Sequence, residues 1–202
     1  MNVLKLSLSA LLAAGLVMGC ASPSPAPVLL TLPPSASNLA SAAPGPAASA
    51  PLLAVRRVNI PEYLVARRVR YRADASTLAE WPNTFWAERI EIGVSREFVS
   101  ALRQQLPGWA LCDTNCGDQM PALSLQVDLV PMDYLRASQK LQARARITLS
   151  SGAAVPKVLQ TQEVPYELAG AADSAQAHAQ LVAELIRQVA AAAAPMVKSA
   201  QP

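Results

Sequence analysis

Three cysteines and one histidine carry the most reactive side chains in this 202-residue sequence. Cys112 and Cys116 lie in Leu111-Cys112-Asp113-Thr114-Asn115-Cys116-Gly117, a turn-rich connector. Two thiols this close can close a local disulfide staple in an oxidising compartment. They can also stay free or cycle as a redox pair; the C-x3-C spacing, unlike C-x2-C, favours the staple. His178 stands alone, early in a helical segment. A lone helical histidine is expected at the surface or partly packed rather than in catalysis. No nucleophile-elbow serine accompanies it. No group of His, Cys, Asp and Glu has metal-ligand spacing. The eight glycines are scattered singly, which leaves no phosphate-binding loop. Acidic pairs such as Glu88 and Glu91 read as a solvated helix face. No catalytic residue, metal site or cofactor is expected.

The chemistry that the sequence does point to is acylation of Cys20. Met1 and Lys5 form a positive start, and an apolar stretch runs from Leu6 to Met18. That length suits a signal peptide and is short for a membrane span. It ends in Leu16-Val17-Met18-Gly19-Cys20, the pattern of a bacterial lipobox. Small Gly19 lets the peptidase reach the bond, and the Cys20 thiol takes a diacylglycerol through a thioether. Cleavage frees an amine for a third acyl chain. At ~0.8 kcal/mol per buried CH2, two or three chains hold a protein on a bilayer almost permanently. The alternative is an ordinary secretory signal with a chance cysteine. Ala21 and Ser22 follow Cys20 where an inner-membrane retention signal would place Asp. The expected location is therefore the periplasmic face of the outer membrane. Residues 1–19 are expected to be cleaved, with 20–27 as a lipid-anchored tether.

These residues need elements to position them. The formal charge is only +3, which does not suggest nucleic-acid binding. Beyond the start, no apolar run reaches the ~18–20 residues of a membrane span. Residues 21–51 are rich in Pro, Ala and Ser and cannot offset their ordering entropy by burial. Within them Val28-Leu29-Leu30-Thr31-Leu32, between Pro27 and Pro33, reads as a short strand. The rest of 28–51 is then a low-complexity loop, and the folded domain spans 52–198.

In that domain, Leu52–Ile60 and Leu64–Tyr71 are strand-like, separated by Pro61. Phe85–Leu106 turns helical: Ile90, Val94, Phe98, Ala101 and Leu102 share a stripe, with Glu91, Arg96, Glu97 and Arg103 away from it. Asn83 or Thr84 is expected to cap this helix, and Pro107-Gly108 to stop it. Leu123–Val130 and Leu141–Ser150 alternate strictly, as half-buried antiparallel strands do. Val158–Leu168 is a weaker strand in which Pro165 marks a break or an edge. A last helix, capped by Asp173 or Ser174, is expected to reach Ala194 and to end at Pro195. The fold class is α+β: a single domain, a mixed sheet with two helices packed on one face.

Six arginines crowd one stretch: Arg56, Arg57, Arg67, Arg68, Arg70 and Arg72. They are either a solvated face that discourages edge pairing or a patch for an acidic partner or anionic head groups.

Three motifs in this part of the chain stand in order. Arg57-Val58-Asn59-Ile60-Pro61-Glu62-Tyr63-Leu64 resembles a "v-x-v-P-x-Y-L" opening. Trp86-Ala87-Glu88 resembles a W-A pair that begins a helix, and Leu106-Pro107-Gly108-Trp109 resembles that helix's end. In these the block 55–109 is similar to the ABC-type transport auxiliary lipoproteins. That family has a Tyr-rich short strand soon after its lipid cysteine; here Val28–Leu32 stands in that place without Tyr. The resemblance implies an accessory role at the outer-membrane end of a lipid transport system that supports envelope integrity. The implied partner is a periplasmic MCE-domain tunnel protein anchored in the inner membrane. The lipoprotein would dock the far end of that tunnel, as a homo-oligomeric ring of identical subunits, and would catalyse nothing. Tyr63, Trp81, Phe85, Arg67, Arg68 and Arg70 are the interface candidates on this reading. Trp86 and Trp109 are assigned rather to the core. An assembly or pilot lipoprotein for another outer-membrane complex is the alternative. The missing catalytic groups disfavour an anchored enzyme.

Overall fold

The computed structural model describes residues 25–34, 49–113 and 116–200. The signal segment and Cys20 lie outside the described residues. One eight-stranded mixed sheet carries two helices. Its centre is β6 (Leu123–Leu135), antiparallel to β7 (Lys140–Ser151) along its whole length. Alternation sets the two faces. Leu123, Leu125, Val127 and Leu129 are buried, as are Leu141, Ala143, Ala145, Ile147 and Leu149 opposite them. The residues between them, Gln126, Asp128, Arg144 and Arg146 among them, form a wet outer face. The register shifts between Leu129 and Met132, which returns Met132 and Tyr134 to the buried face.

Beyond β7 lies β8 (Val158–Ala169), which pairs only with β7. Pro165 sits within it, as an edge strand allows. The opposite side of β6 is shared. Its first half takes β2 (Leu52–Val55) in parallel, with Leu53 beside Leu123. Its end takes β3 (Arg68–Arg72), with Arg72 beside Leu135. β2 carries β5 (Ala110–Cys112); β3 carries β4 (Leu78–Trp86), and β4 carries β1 (Val28–Leu30). The buried face is covered by α1 (Ile90–Gln105) and α2 (Ala175–Ser199), which also pack on each other. Alanines 190, 193 and 194 of α2 are buried, which keeps the two helices close.

Several expectations are corrected. Phe85 does not begin a helix. Leu78–Trp86 is a strand, because β3 and β1 flank it and Trp81, Thr84 and Trp86 point inward. Pro82 and left-handed Asn83 (φ 48°) interrupt its alternation and hid it. Neither Asn83 nor Thr84 caps α1; Arg89 precedes the helix and makes no capping side-chain bond. The two early strands shrink to β2 and β3, joined by a 3-10 turn at Glu62–Leu64 and a lone bridge from Asn59 to Asp128. Pro165 marks an edge rather than a break. Ser174 caps α2, its hydroxyl accepting from the Ala177 amide at 3.1 Å. That helix runs through Pro195 to Ser199, because Ala193, Ala194, Met196 and Val197 remain buried on both sides of the proline. Glu91 and Glu97 are buried rather than solvated, each beside an arginine: Arg89 for Glu91 and Arg96 for Glu97.

Candidate functional site

The arginine-rich stretch divides into two parts. In β3 the guanidiniums are held by carboxylates from other strands. Glu80 receives both Arg68 (3.3 Å) and Arg70 (3.2 Å). Arg70 also donates to the Tyr63 carbonyl at 2.8 Å. Arg72 pairs with Asp133 at 3.2 Å, and the Tyr63 hydroxyl donates to the same carboxylate at 2.8 Å. Burial, and then the hydrogen bond to Asp133, push the Tyr63 hydroxyl above its ordinary value. Arg72 lies over the Tyr63 ring at 5.4 Å, and Arg68 over Phe85 at 5.1 Å. Tyr63 and Arg70 are thus tied into the sheet, whereas Phe85 is half-buried and Arg67 and Arg68 are exposed.

Trp81 is not available as an interface residue. It is buried against Tyr71, with ring centroids 5.1 Å apart, and Arg136 covers it at 4.3 Å. Its place on the inward side of β4 makes it core, together with Trp86 and Trp109. His178 is corrected too. It is buried between Tyr134 and Trp86, and burial drives its imidazole down to about 3. Sequence reading missed Asp133, Glu80, Arg136 and Asp173 as partners of these groups. They are brought in from strands and turns 10 to 70 positions away, and no local pattern marks them.

The second part is Arg56 and Arg57, which follow β2. Both are exposed and make no ion pair among the described residues. A cleft opens on either side of them. One, of about 570 Å³, is walled by Asn59, Ser124, Gln126, Gly152 and Pro156. The other, of about 390 Å³, lies against α1, where Val55, Ile92 and Val99 give an apolar floor and Arg103 adds charge; Arg96 there is paired with Glu88 and Glu97, and Asp113 lines both clefts. Cys116 lines the first cleft and is bonded to Cys112, with Cα atoms 5.3 Å apart. Concave, basic and partly apolar, this surface suits an acidic chain with apolar side groups.

Among the described residues, no three His, Cys, Asp or Glu side chains could share a metal, and no helix is long and apolar enough to cross a membrane.

Residues 30–190 match the family described as the ABC-type transport auxiliary lipoprotein component. The chain belongs to that family. It is a transport auxiliary lipoprotein by membership, and the family character fits attachment to a membrane. No curated protein matches it in sequence. Among solved structures, one crystal structure of an uncharacterized protein is 20% identical, with TM-score 0.68, covering 86% of this chain and 99% of that one. Protein XCC0632 from Xanthomonas campestris is 16% identical, with TM-score 0.59, covering 85% of this chain and 92% of that one. At these identities the two structures show that this auxiliary lipoprotein shares their fold.

Proposed function

We propose that this auxiliary lipoprotein is a non-catalytic, outer-membrane component of an MCE-type intermembrane lipid transport system, similar to PqiC of the paraquat-inducible Pqi system. Acyl chains on Cys20 hold it on the periplasmic face. Its domain docks or stabilises the far end of the periplasmic tunnel protein, as one copy in a homo-oligomer. The observation that carries this reading is family membership over residues 30–190, joined to the lipobox that ends at Cys20. The surface assigned to the tunnel protein is the double cleft around Arg56 and Arg57, which make no ion pair among the described residues. The role asked of it is positional: it holds a partner and breaks no bond.

The test is capture of partners from cells crosslinked in the intact envelope, read by mass spectrometry. An MCE-domain protein is expected among the crosslinked species, together with self-crosslinked copies. Capture of the subunits of a different outer-membrane machine, without any MCE protein, would overturn this reading in favour of a pilot lipoprotein. Cys20→Ala is expected to leave the outer-membrane fraction. Retention there would remove the anchor from the account.

A further inference from the structure

The lipid anchor and the start of the fold are close in sequence. Five residue steps separate Cys20 from Pro25, at most about 18 Å of extended chain. Pro25 is fastened to the sheet, since the Asn83 side-chain amide donates to its carbonyl at 2.6 Å. β1 follows three residues later and runs beside β4 as the last strand on that side. The β1–β4–β3 corner is therefore the part of the domain that an acylated Cys20 keeps nearest the bilayer.

That corner carries an unusual outer face. Register places Leu29 beside Phe85 and Phe85 beside Arg68, so the three side chains form one row across three strands. Leu29 is 57% exposed and Val28 41%, at a sheet edge where solvated residues would be ordinary. Phe85 is half-buried beneath the Arg68 guanidinium. Arg67 adjoins, exposed and without an ion pair among the described residues. Two guanidiniums, of Arg68 and Arg70, share one carboxylate, Glu80, which leaves positive charge in excess. Exposed apolar side chains flanked by excess arginine are the composition that lies on an anionic membrane surface.

We propose that Leu29, Phe85, Arg67 and Arg68 form a membrane-contacting surface that seats the domain against anionic phospholipid head groups. A second, weak contact fixes which face looks away from the bilayer. The Arg56–Arg57 clefts belong to the half of the sheet around Leu123. β3 runs parallel to β6 with Arg72 beside Leu135, so Arg68 is level with about Pro131, while the Arg56 amide donates to the Leu125 carbonyl six positions back, roughly 20 Å along the strand. Seating the corner on the membrane thus leaves the clefts open toward the periplasm. The inference rests on the anchor at Cys20 and is independent of which protein the clefts hold.

The test uses the mature chain from residue 20. With Cys112 and Cys116 bonded, Cys20 is its only free thiol, and it can be joined to a maleimide-headgroup lipid in vesicles. No cellular acylation and no tunnel protein are then needed. Vesicles contain either phosphatidylcholine alone or phosphatidylethanolamine with phosphatidylglycerol, plus a phospholipid with a photoreactive head group. On anionic vesicles, adducts are expected to concentrate on peptides carrying Leu29, Arg67, Arg68 and Phe85. Arg67→Gln with Arg68→Gln is expected to lower that yield about tenfold, and Leu29→Ser to lower it as well. Both variants change exposed positions, and circular dichroism checks that they fold. Adducts spread evenly, or centred on Arg56 and Arg57, would overturn the proposal. So would yields that ignore the variants or the lipid charge. A tunnel protein that still crosslinks in cells after such a result would leave the docking function standing by itself.

Discussion

The imidazole of His178 lies flat on the ring of Tyr134, with centroids 4.4 Å apart and planes 15° from parallel. The histidine comes from the first turn of α2 and the tyrosine from the far end of β6, so the stack joins helix to sheet. Burial holds the imidazole neutral to about pH 3, against an ordinary value of 6.5. The folded state therefore refuses a proton that the unfolded chain accepts. The stability from this group is complete above about pH 6.5 and is lost as the pH falls toward 3, by ~1.4 kcal/mol per pH unit. His178→Phe keeps a flat ring and removes the proton site. Urea midpoints measured from pH 7 to pH 4 are expected to fall less steeply for the variant than for the native chain. Parallel curves would show that the imidazole does not titrate as argued.

Gly152 begins the turn between β7 and β8, and its amide donates to the Ala122 carbonyl at 3.0 Å. A methyl group there would stand 1.6 Å from the Pro121 carbonyl oxygen. That oxygen is backbone and cannot step aside as a flexible side chain would. Gly152→Ala is expected to cost about 2–3 kcal/mol, in line with other overpacked sites. Urea unfolding measures it, and a loss below 0.5 kcal/mol, roughly the scatter of surface substitutions, would contradict the contact.

The Cys112–Cys116 bond closes a very short loop next to β5. Loop-closure entropy for a ring this small gives about 2 kcal/mol. Replacing both cysteines by serine is expected to lower unfolding stability by that amount, and adding reductant to the native chain should do the same. Alkylation without reductant, read by mass, should leave Cys112 and Cys116 unlabelled. Two labelled thiols at these positions would remove the bond.

The Arg56 and Arg57 side chains make no ion pair among the described residues. Arg56→Gln with Arg57→Gln is expected to change unfolding stability by no more than about 0.5 kcal/mol. Binding of the tunnel protein is expected to weaken about tenfold at low salt, and by less as salt screens the native pair. Titration calorimetry at two salt concentrations reads both effects. Unchanged affinity would place the docking surface elsewhere.

Local pattern already specified much of this molecule. Strict alternation from Leu123 and from Leu141 marked the two central strands, because one wet and one dry face write a period of two into any half-buried strand. The apolar stripes of α1 and α2 were legible in the same way. Tertiary structure decided the remainder. β4 exists because β1 and β3 flank it, although Pro82 and Asn83 break its rhythm. β5 is three residues long and depends on β2. His178 and Trp81 are buried by partners that no neighbouring residue announces, and Glu80 and Asp133 reach the arginines of β3 only after the sheet has assembled. A side chain's period is a property of its own segment. Its burial and its charge partner belong to whichever distant segment packs against it, and only the folded chain settles that.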